Sequence, residues 1–333
     1  MVVVFSTTKG LSGLAMALAH SRGWFDYEAR VSKYWPEFAQ QGKENITVRQ
    51  LLSHQAGLYA LDVPVEKSLI ADPDRLADVL ARQKPAWEPG TRQAYHAITL
   101  GFYESELLRR VDPKYRTLGR FFQEEIASPL GLDLYIRLPD AIPSSRLATL
   151  NSPSMLFRIA TVFTQSPSFA LAAMNPHSRI RRALDGSLLP VENGERVYAR
   201  NLEIPAGGAV GSAQGIARAY GVFATGGHEL GVREETLERL MAPPVAPVHG
   251  FHDQCLNVEV RFSLGFMKPN PSKPFGHPSS FGFAGAGGSF GFADPHAQIG
   301  YAYVPNRMGA YLDDPRDRAL RTAMYRSIGD VVL

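Results

Sequence analysis

A serine and a lysine stand three residues apart in Phe5-Ser6-Thr7-Thr8-Lys9, and residues of these types can perform acyl transfer. A serine hydroxyl becomes nucleophilic when a neighbour removes its proton, and an amine with a depressed pKa can be that neighbour. On a helix, positions three apart share a face, so the Lys9 amine would come within reach of the Ser6 hydroxyl, with helix N–H dipoles close by. The spacing alone is weak, because roughly one chance Ser-x-x-Lys is expected in a chain of this size. In the competing reading Ser6 is an ordinary helix cap and Lys9 a solvated first-turn residue.

Two other constellations compete for the chemistry. Gly287-Gly288-Ser289-Phe290-Gly291 satisfies G-x-S-x-G, but a nucleophile elbow needs a strand before the serine and a helix after it, and here the chain runs into the turn Asp294-Pro295. A glycine-rich strand approached closely by a ligand or another backbone accounts better for it. His249, His252, Asp253 and Cys255 gather metal-ligand types in a proline-bounded loop, but their spacing matches no zinc signature, so a solvated loop is expected. No dinucleotide or P-loop fingerprint is present, and no cofactor or metal is implied.

The elements that must position Ser6 and Lys9 are legible in the periodicity. Val2 to Phe5 reads as a short buried strand or extended segment; from Ser6 onward Leu11, Leu14, Ala15 and Leu18 recur at helical spacing until Gly23. Helices are further expected at Thr47–His54, from Pro73 through Leu80, at Ile98–Arg110, Leu118–Ala127 and Ala213–Ala224, and at the end over Pro315–Ile328. Strands are expected at Val258–Phe266, Ser289–Ala293 and Gln298–Val304. The 333 residues therefore read as one α/β (α+β) domain over 1–333, mostly helical over about 30–230, with strands and a closing helix over about 255–333.

Composition bounds the rest. Hydrophobic residues at 45% and charged residues at 20% describe an ordinary globular chain, and a net charge of +3 without basic–aromatic interleaving does not imply nucleic acid. No apolar run approaches the roughly 20 residues of a transmembrane helix. Cys255 is the one cysteine, so no intrachain disulfide forms, and no charged segment precedes the first valines as in a signal peptide. A cytoplasmic location is the expectation, and a homo-oligomer is left open.

Five segments, in order, resemble the serine β-lactamase-like superfamily, and within it the family VIII carboxylesterases near class C β-lactamases. They are Phe5 to Lys9; Val48-Arg49-Gln50-Leu51-Leu52-Ser53-His54-Gln55-Ala56-Gly57-Leu58; Trp87-Glu88-Pro89-Gly90 leading to Tyr95; Ile204-Pro205-Ala206 to Arg218; and Gly285-Ala286-Gly287-Gly288-Ser289-Phe290-Gly291. The resemblance implies a β-lactamase/transpeptidase-like fold, an antiparallel sheet flanked by helices with a mostly helical subdomain. It implies Ser6 as nucleophile, Lys9 and Tyr95 as its acid–base partners, and an oxyanion hole from the N–H groups of Ser6 and Ala286.

Departures from that pattern bear on the substrate. Ala97 stands where lactamases have an asparagine, and Phe283-Ala284-Gly285 where they have lysine-threonine-glycine, so the groups that would hold a β-lactam's amide and carboxylate are missing. These four positions are expected to line a site for small neutral esters. Members of the superfamily usually have a helix and two strands before the nucleophile helix; the strands are expected to be missing here, leaving the strand that leads to Ala286 without a partner. The competing functions are a non-catalytic scaffold of the same fold and a D-amino-acid peptidase or amidase.

Overall fold

The computed structural model describes residues 1–154, 167–185, 191, 196–271, 273–310 and 313–330; the rest of the helical portion expected at 30–230, and of the closing stretch to 333, lies outside the described residues. The chain begins with β1 (Val2–Val3), whose adjacent valines suit a buried strand. It pairs antiparallel with β3 (Val210–Gly211), which also pairs with β2 (Leu134–Tyr135). Val4 continues the ladder by donating to the Ala209 carbonyl at 2.9 Å. The next element, α1 (Thr7–Ser21), is therefore launched from a fixed point, and every one of its residues is buried.

The helical portion follows. α2 (Val48–Leu52) starts with a capping box in which Thr47 and Gln50 exchange hydrogen bonds, satisfying two otherwise orphaned N–H groups. α3 (Lys67–Ile70) precedes α4 (Pro73–Arg82), which opens on a proline behind an Asp72 cap. α5 (Thr99–Val111) packs on α1 and α4, and α6 (Leu118–Phe122) passes into a π-helical turn over Gln123–Ala127. Further helices are α7 (Pro167–Met174), α8 (Arg179–Ala183), α9 (Ala213–Ala224) and α10 (Glu234–Met241).

The second half builds a five-stranded antiparallel sheet in simple sequential order: β4 (Arg261–Ser263), β5 (Phe266–Lys268), β6 (Phe281–Ala284), β7 (Phe290–Asp294) and β8 (Ile299–Tyr303). The strand expected at Val258–Phe266 is divided, because Leu264 and Gly265 both take positive φ and reverse the chain. Alternate residues of β7 serve the two faces. Phe290 and Phe292 cluster with Tyr325 of α11 (Pro315–Ser327), while Gly291 lies against Ile216 and Tyr220 of α9.

β6, expected to lack a partner, is paired on both sides, with β5 and with β7. The sheet edges fall instead at β4 and β8, and α9 packs over β8. Among the described residues, no helix is long and apolar enough to cross a membrane.

Candidate active site

Ser6 sits where β1 gives way to α1. Phe5 before it takes φ +47°, a left-handed value that a non-glycine residue adopts only when its surroundings enforce it, and the bend delivers Ser6 to the N-cap of α1. The Ser6 side chain makes no capping hydrogen bond, so its hydroxyl is free for other partners. Two reach it. Lys9 Nζ lies 3.2 Å from Ser6 Oγ, and the Tyr95 hydroxyl donates to the same oxygen at 2.7 Å.

Lys9 is not a solvated first-turn residue. It is wholly buried, and its amine also donates to the carbonyls of Ala97 at 2.6 Å and Ala206 at 2.8 Å. Burial lowers its pKa to about 7, opposed by the buried Glu104. With two hydrogens committed to carbonyls, the remaining position on nitrogen faces Ser6. As an ammonium it donates to Oγ; as an amine it offers a lone pair to the Ser6 proton.

Tyr95 is placed by a segment clamped from both sides. Ala94 N–H donates to the His54 carbonyl at 3.0 Å, Gln93 reaches the Phe251 and Val260 carbonyls, and Gln254 N–H returns to the Gln93 carbonyl. The motif around His54 thus holds the tyrosine loop: His96 N–H donates to His54 Nδ1 at 3.0 Å, and His96 Nε2 accepts from Leu58 N–H at 3.1 Å. His96 Nδ1 lies 2.6 Å from the Ala94 carbonyl, an arrangement that fits the neutral Nδ1–H tautomer. Burial lowers both histidines, His96 to about 4, so neither adds positive charge near neutral pH.

Burial also pushes the Tyr95 phenol above its ordinary range, with the Asp253 carboxylate acting in the same direction and the Ser6 contact against it. Tyr95 therefore stays a hydrogen-bond donor where the Lys9 amine is largely neutral. Its ring stacks with Phe262 and Phe283, at centroid distances of 6.0 and 6.2 Å, and Lys9 Nζ lies 4.7 Å from the Tyr95 centroid and 5.5 Å from that of Phe283.

The turn after β6 meets the start of α1 because Gly285 has no side chain. A Cβ there would stand 2.3 Å from the Val4 carbonyl oxygen and 2.9 Å from Thr7 Oγ1. Ala286 follows, exposed, and neither its N–H nor that of Ser6 takes part in the turn and loop hydrogen bonds of the described residues. Both are available to an oxyanion. Ser289 is buried, donates to the Val4 carbonyl at 2.7 Å and accepts from Thr7 at 3.0 Å. Its hydroxyl is a tie between sheet and helix.

Two expectations need correction. Phe283 is only 2% exposed and turns toward Lys9 and Tyr95, so it walls their chamber rather than facing a substrate. Ala97 is buried too and contributes its carbonyl to Lys9, while Ala284 and Gly285 remain partly accessible. The loop with His249 and Cys255 is not simply solvated: His249 and His252 are exposed, but Asp253 and Cys255 are buried. Asp253 accepts from the N–H groups of Cys255 and Leu256 at 2.9 and 2.8 Å, and the Tyr95 N–H also draws on it. Burial raises its carboxyl to about 6. Sequence reasoning missed Asp253 as a support of Tyr95 and missed Glu104 altogether; a glutamate amid the apolar positions of α5 was the available signal. No cluster of metal-ligating side chains occurs among the described residues.

The beta-lactamase family model matches residues 1–324. The chain is 33% identical over 308 residues to the esterase/beta-lactamase LipL of Mycobacterium tuberculosis, covering 92% of this chain and 69% of that protein. Among solved structures it is similar to EstA from Arthrobacter nitroguajacolicus Rue61a, with a TM-score of 0.83 and 33% identity over 98% of this chain and 84% of that one. It is also similar to a family VIII carboxylesterase, with a TM-score of 0.78 and 34% identity over 98% of this chain and 83% of the other.

Proposed function

The chain belongs to the beta-lactamase family, with the hydrolase fold of that family, and from that premise we propose that it is a serine carboxylesterase acting on small neutral esters through an acyl-enzyme on Ser6. The observation that carries this reading is the double contact on one oxygen: Ser6 Oγ lies between the Lys9 amine at 3.2 Å and the Tyr95 hydroxyl at 2.7 Å.

In the proposed reaction the Lys9 amine takes the Ser6 proton as Oγ attacks the ester carbonyl. The resulting oxyanion is held by the Ser6 and Ala286 N–H groups. Collapse breaks the ester C–O bond, and the leaving alkoxide receives a proton from the Tyr95 hydroxyl, which is replenished from the Lys9 ammonium. Water then attacks the acyl-enzyme, giving one proton to the same base and releasing the acid with Ser6 restored. Lys9 rather than Tyr95 is the base in this scheme, because burial moves the lysine toward its neutral form and the tyrosine away from ionisation.

An ester is favoured over a β-lactam because Ala97 and Phe283 carry neither the amide nor the cation of the lactamase pattern and both are buried, so neither side chain holds a lactam's amide or carboxylate. Similarity to a family VIII carboxylesterase supports the same choice, while LipL is named both esterase and beta-lactamase. The test is a fluorophosphonate probe followed by peptide mapping, with p-nitrophenyl butyrate turnover measured alongside. Labelling on Ser6 with loss of turnover is expected; a folded protein that neither labels nor turns over would be the non-catalytic scaffold instead.

A further inference from the structure

Thr8 is a wholly buried threonine in the first turn of α1, two residues beyond the proposed nucleophile. A threonine at such a place commonly turns its hydroxyl back on the carbonyl of the preceding turn, and Thr8 Oγ1 does donate to the Phe5 carbonyl at 2.5 Å. Two observations set this bond apart. The Thr8 oxygen is itself gripped from another element, because the buried Ala209 N–H donates to it at 3.0 Å. The carbonyl that Thr8 holds belongs to Phe5, the residue bent to φ +47°.

The Phe5 carbonyl is one end of the peptide unit whose other end is the Ser6 N–H. A trans peptide is planar and its C=O and N–H point opposite ways, so holding the oxygen fixes the direction of the hydrogen. The Phe5 oxygen accepts from both donors of Thr8, the hydroxyl and the N–H, the latter at 2.9 Å. The backbone before Phe5 is held as well: Val4 N–H donates to the Ala209 carbonyl at 2.9 Å, and the Val4 carbonyl accepts from Thr7 N–H at 3.2 Å and from Ser289. Ala209 thus grips the bend on both sides of Phe5, through its carbonyl and through its N–H. Along the chain from Ala209 N–H through the Thr8 hydroxyl to the Phe5 carbonyl, each hydrogen bond also polarises the next.

We propose that Thr8 is a positioning residue of the oxyanion hole: through the Phe5–Ser6 peptide, its hydroxyl aims the Ser6 N–H at the oxygen of the attacked carbonyl. This rests on Ser6 being the nucleophile and its N–H an oxyanion donor. Thr8 touches no substrate and carries no proton in the reaction. The carbonyl oxygen gains its negative charge only as Ser6 attacks, so the benefit of a well-aimed donor falls on the transition state and hardly on binding of the ester.

The experiment compares the parent with Thr8→Val, which keeps the shape and removes the hydroxyl, and with Thr8→Ser, which restores it. Active sites are counted by fluorophosphonate labelling to completion with peptide mapping, and p-nitrophenyl butyrate turnover is expressed per labelled Ser6 across pH. Thr8→Val should lower kcat per site about tenfold at nearly constant KM, a misaimed donor costing less than the roughly 10²–10³ of a deleted one. Thr8→Ser should recover most of that loss, and the acid limb of the pH profile should stay at its parental position. A Thr8→Val protein with fewer labelled sites, each turning over at the parental rate, would mark Thr8 as packing only and overturn the proposal. An acid limb displaced together with the plateau would overturn it too, because the hydroxyl would then act through Lys9, and so would a raised KM at unchanged kcat. If Thr8→Val does not fold, Thr8→Ala carries the same comparison. Labelling of the parent elsewhere than on Ser6 would sink the reading of the nucleophile instead, whatever the Thr8 variants do.

Discussion

Ser289 donates its hydroxyl to the carbonyl of Val4 at 2.7 Å, so the serine that fits a nucleophile-elbow pattern fastens the backbone that presents another serine. Removing the two hydroxyls should therefore have different consequences. Ser6→Ala should reduce ester turnover by several orders of magnitude and abolish probe labelling, as deletion of a nucleophile leaves only oxyanion and binding contributions. Ser289→Ala should keep labelling on Ser6 and lose about 1–3 kcal/mol of stability, because the buried Thr7 hydroxyl loses its partner and the Val4 carbonyl keeps only the Thr7 N–H. Labelling that survives Ser6→Ala and vanishes in Ser289→Ala would reverse the choice of site.

Lys9 and Tyr95 converge on one oxygen, and their losses should not multiply. Each of Lys9→Ala and Tyr95→Phe is expected to lower kcat/KM by roughly 10²–10⁴, and the double variant to be little worse than the more damaging single one. Multiplicative defects, or a harmless Tyr95→Phe, would show that the tyrosine has no part in proton transfer.

Stability should carry the signature of the buried lysine. Burial holds the Lys9 pKa at about 7 in the folded protein against 10.5 for an ordinary lysine, so between those values the unfolded chain binds the extra proton. Stability from this group must therefore rise as pH rises from about 7 toward 10.5 and is lowest at acid pH. Lys268, buried and lowered to about 7, acts in the same direction. The difference in Tm between pH 9.5 and pH 7 should be smaller in Lys9→Met than in the parent; an equal difference would mean that Lys9 does not titrate in this window.

Substrate preference can be read by comparing an ester with a β-lactam, and the burial of Phe283 by replacing it. The parent should favour p-nitrophenyl butyrate over a chromogenic cephalosporin by a large factor in kcat/KM. Phe283→Lys should fail to gain the cephalosporin and should destabilise the protein, because the ring is buried 5.5 Å from Lys9 Nζ and a second ammonium there would be unpaired. A stable Phe283→Lys enzyme with improved cephalosporin turnover would show that position 283 faces the substrate after all.

How much of this was legible in the sequence follows from the range of the signals. Helical spacing placed Ser6 and Lys9 on one face, and Gly226-Gly227 ended α9 where the chain stops it, because those signals are local. The reversal at Leu264-Gly265 was missed, since a short apolar run with a single glycine reads equally as one strand. The burial of Phe283 was hidden for another reason: which face of β6 meets α1 is set by pairing with β5 and β7, and a register is not written in one strand. Asp253 supports Tyr95 from more than 90 positions away, and Glu104 is buried among elements distant in the chain. Glu104 offered only a charge in apolar company, and Asp253, between His252 and Gln254, not even that.

All fifteen residues of α1 are buried, which has a kinetic meaning. Amide protons along α1 can exchange with solvent only when the helix is uncovered, and uncovering it separates α5, α9 and β6 together. Its backbone amides should therefore belong to the slowest-exchanging set and report the global opening free energy, while those of the exposed Val245 and Ala246 exchange early. The proposed nucleophile, mounted at the head of such a helix, should not be lost piecemeal: under denaturant, turnover and global structure are expected to disappear in one transition.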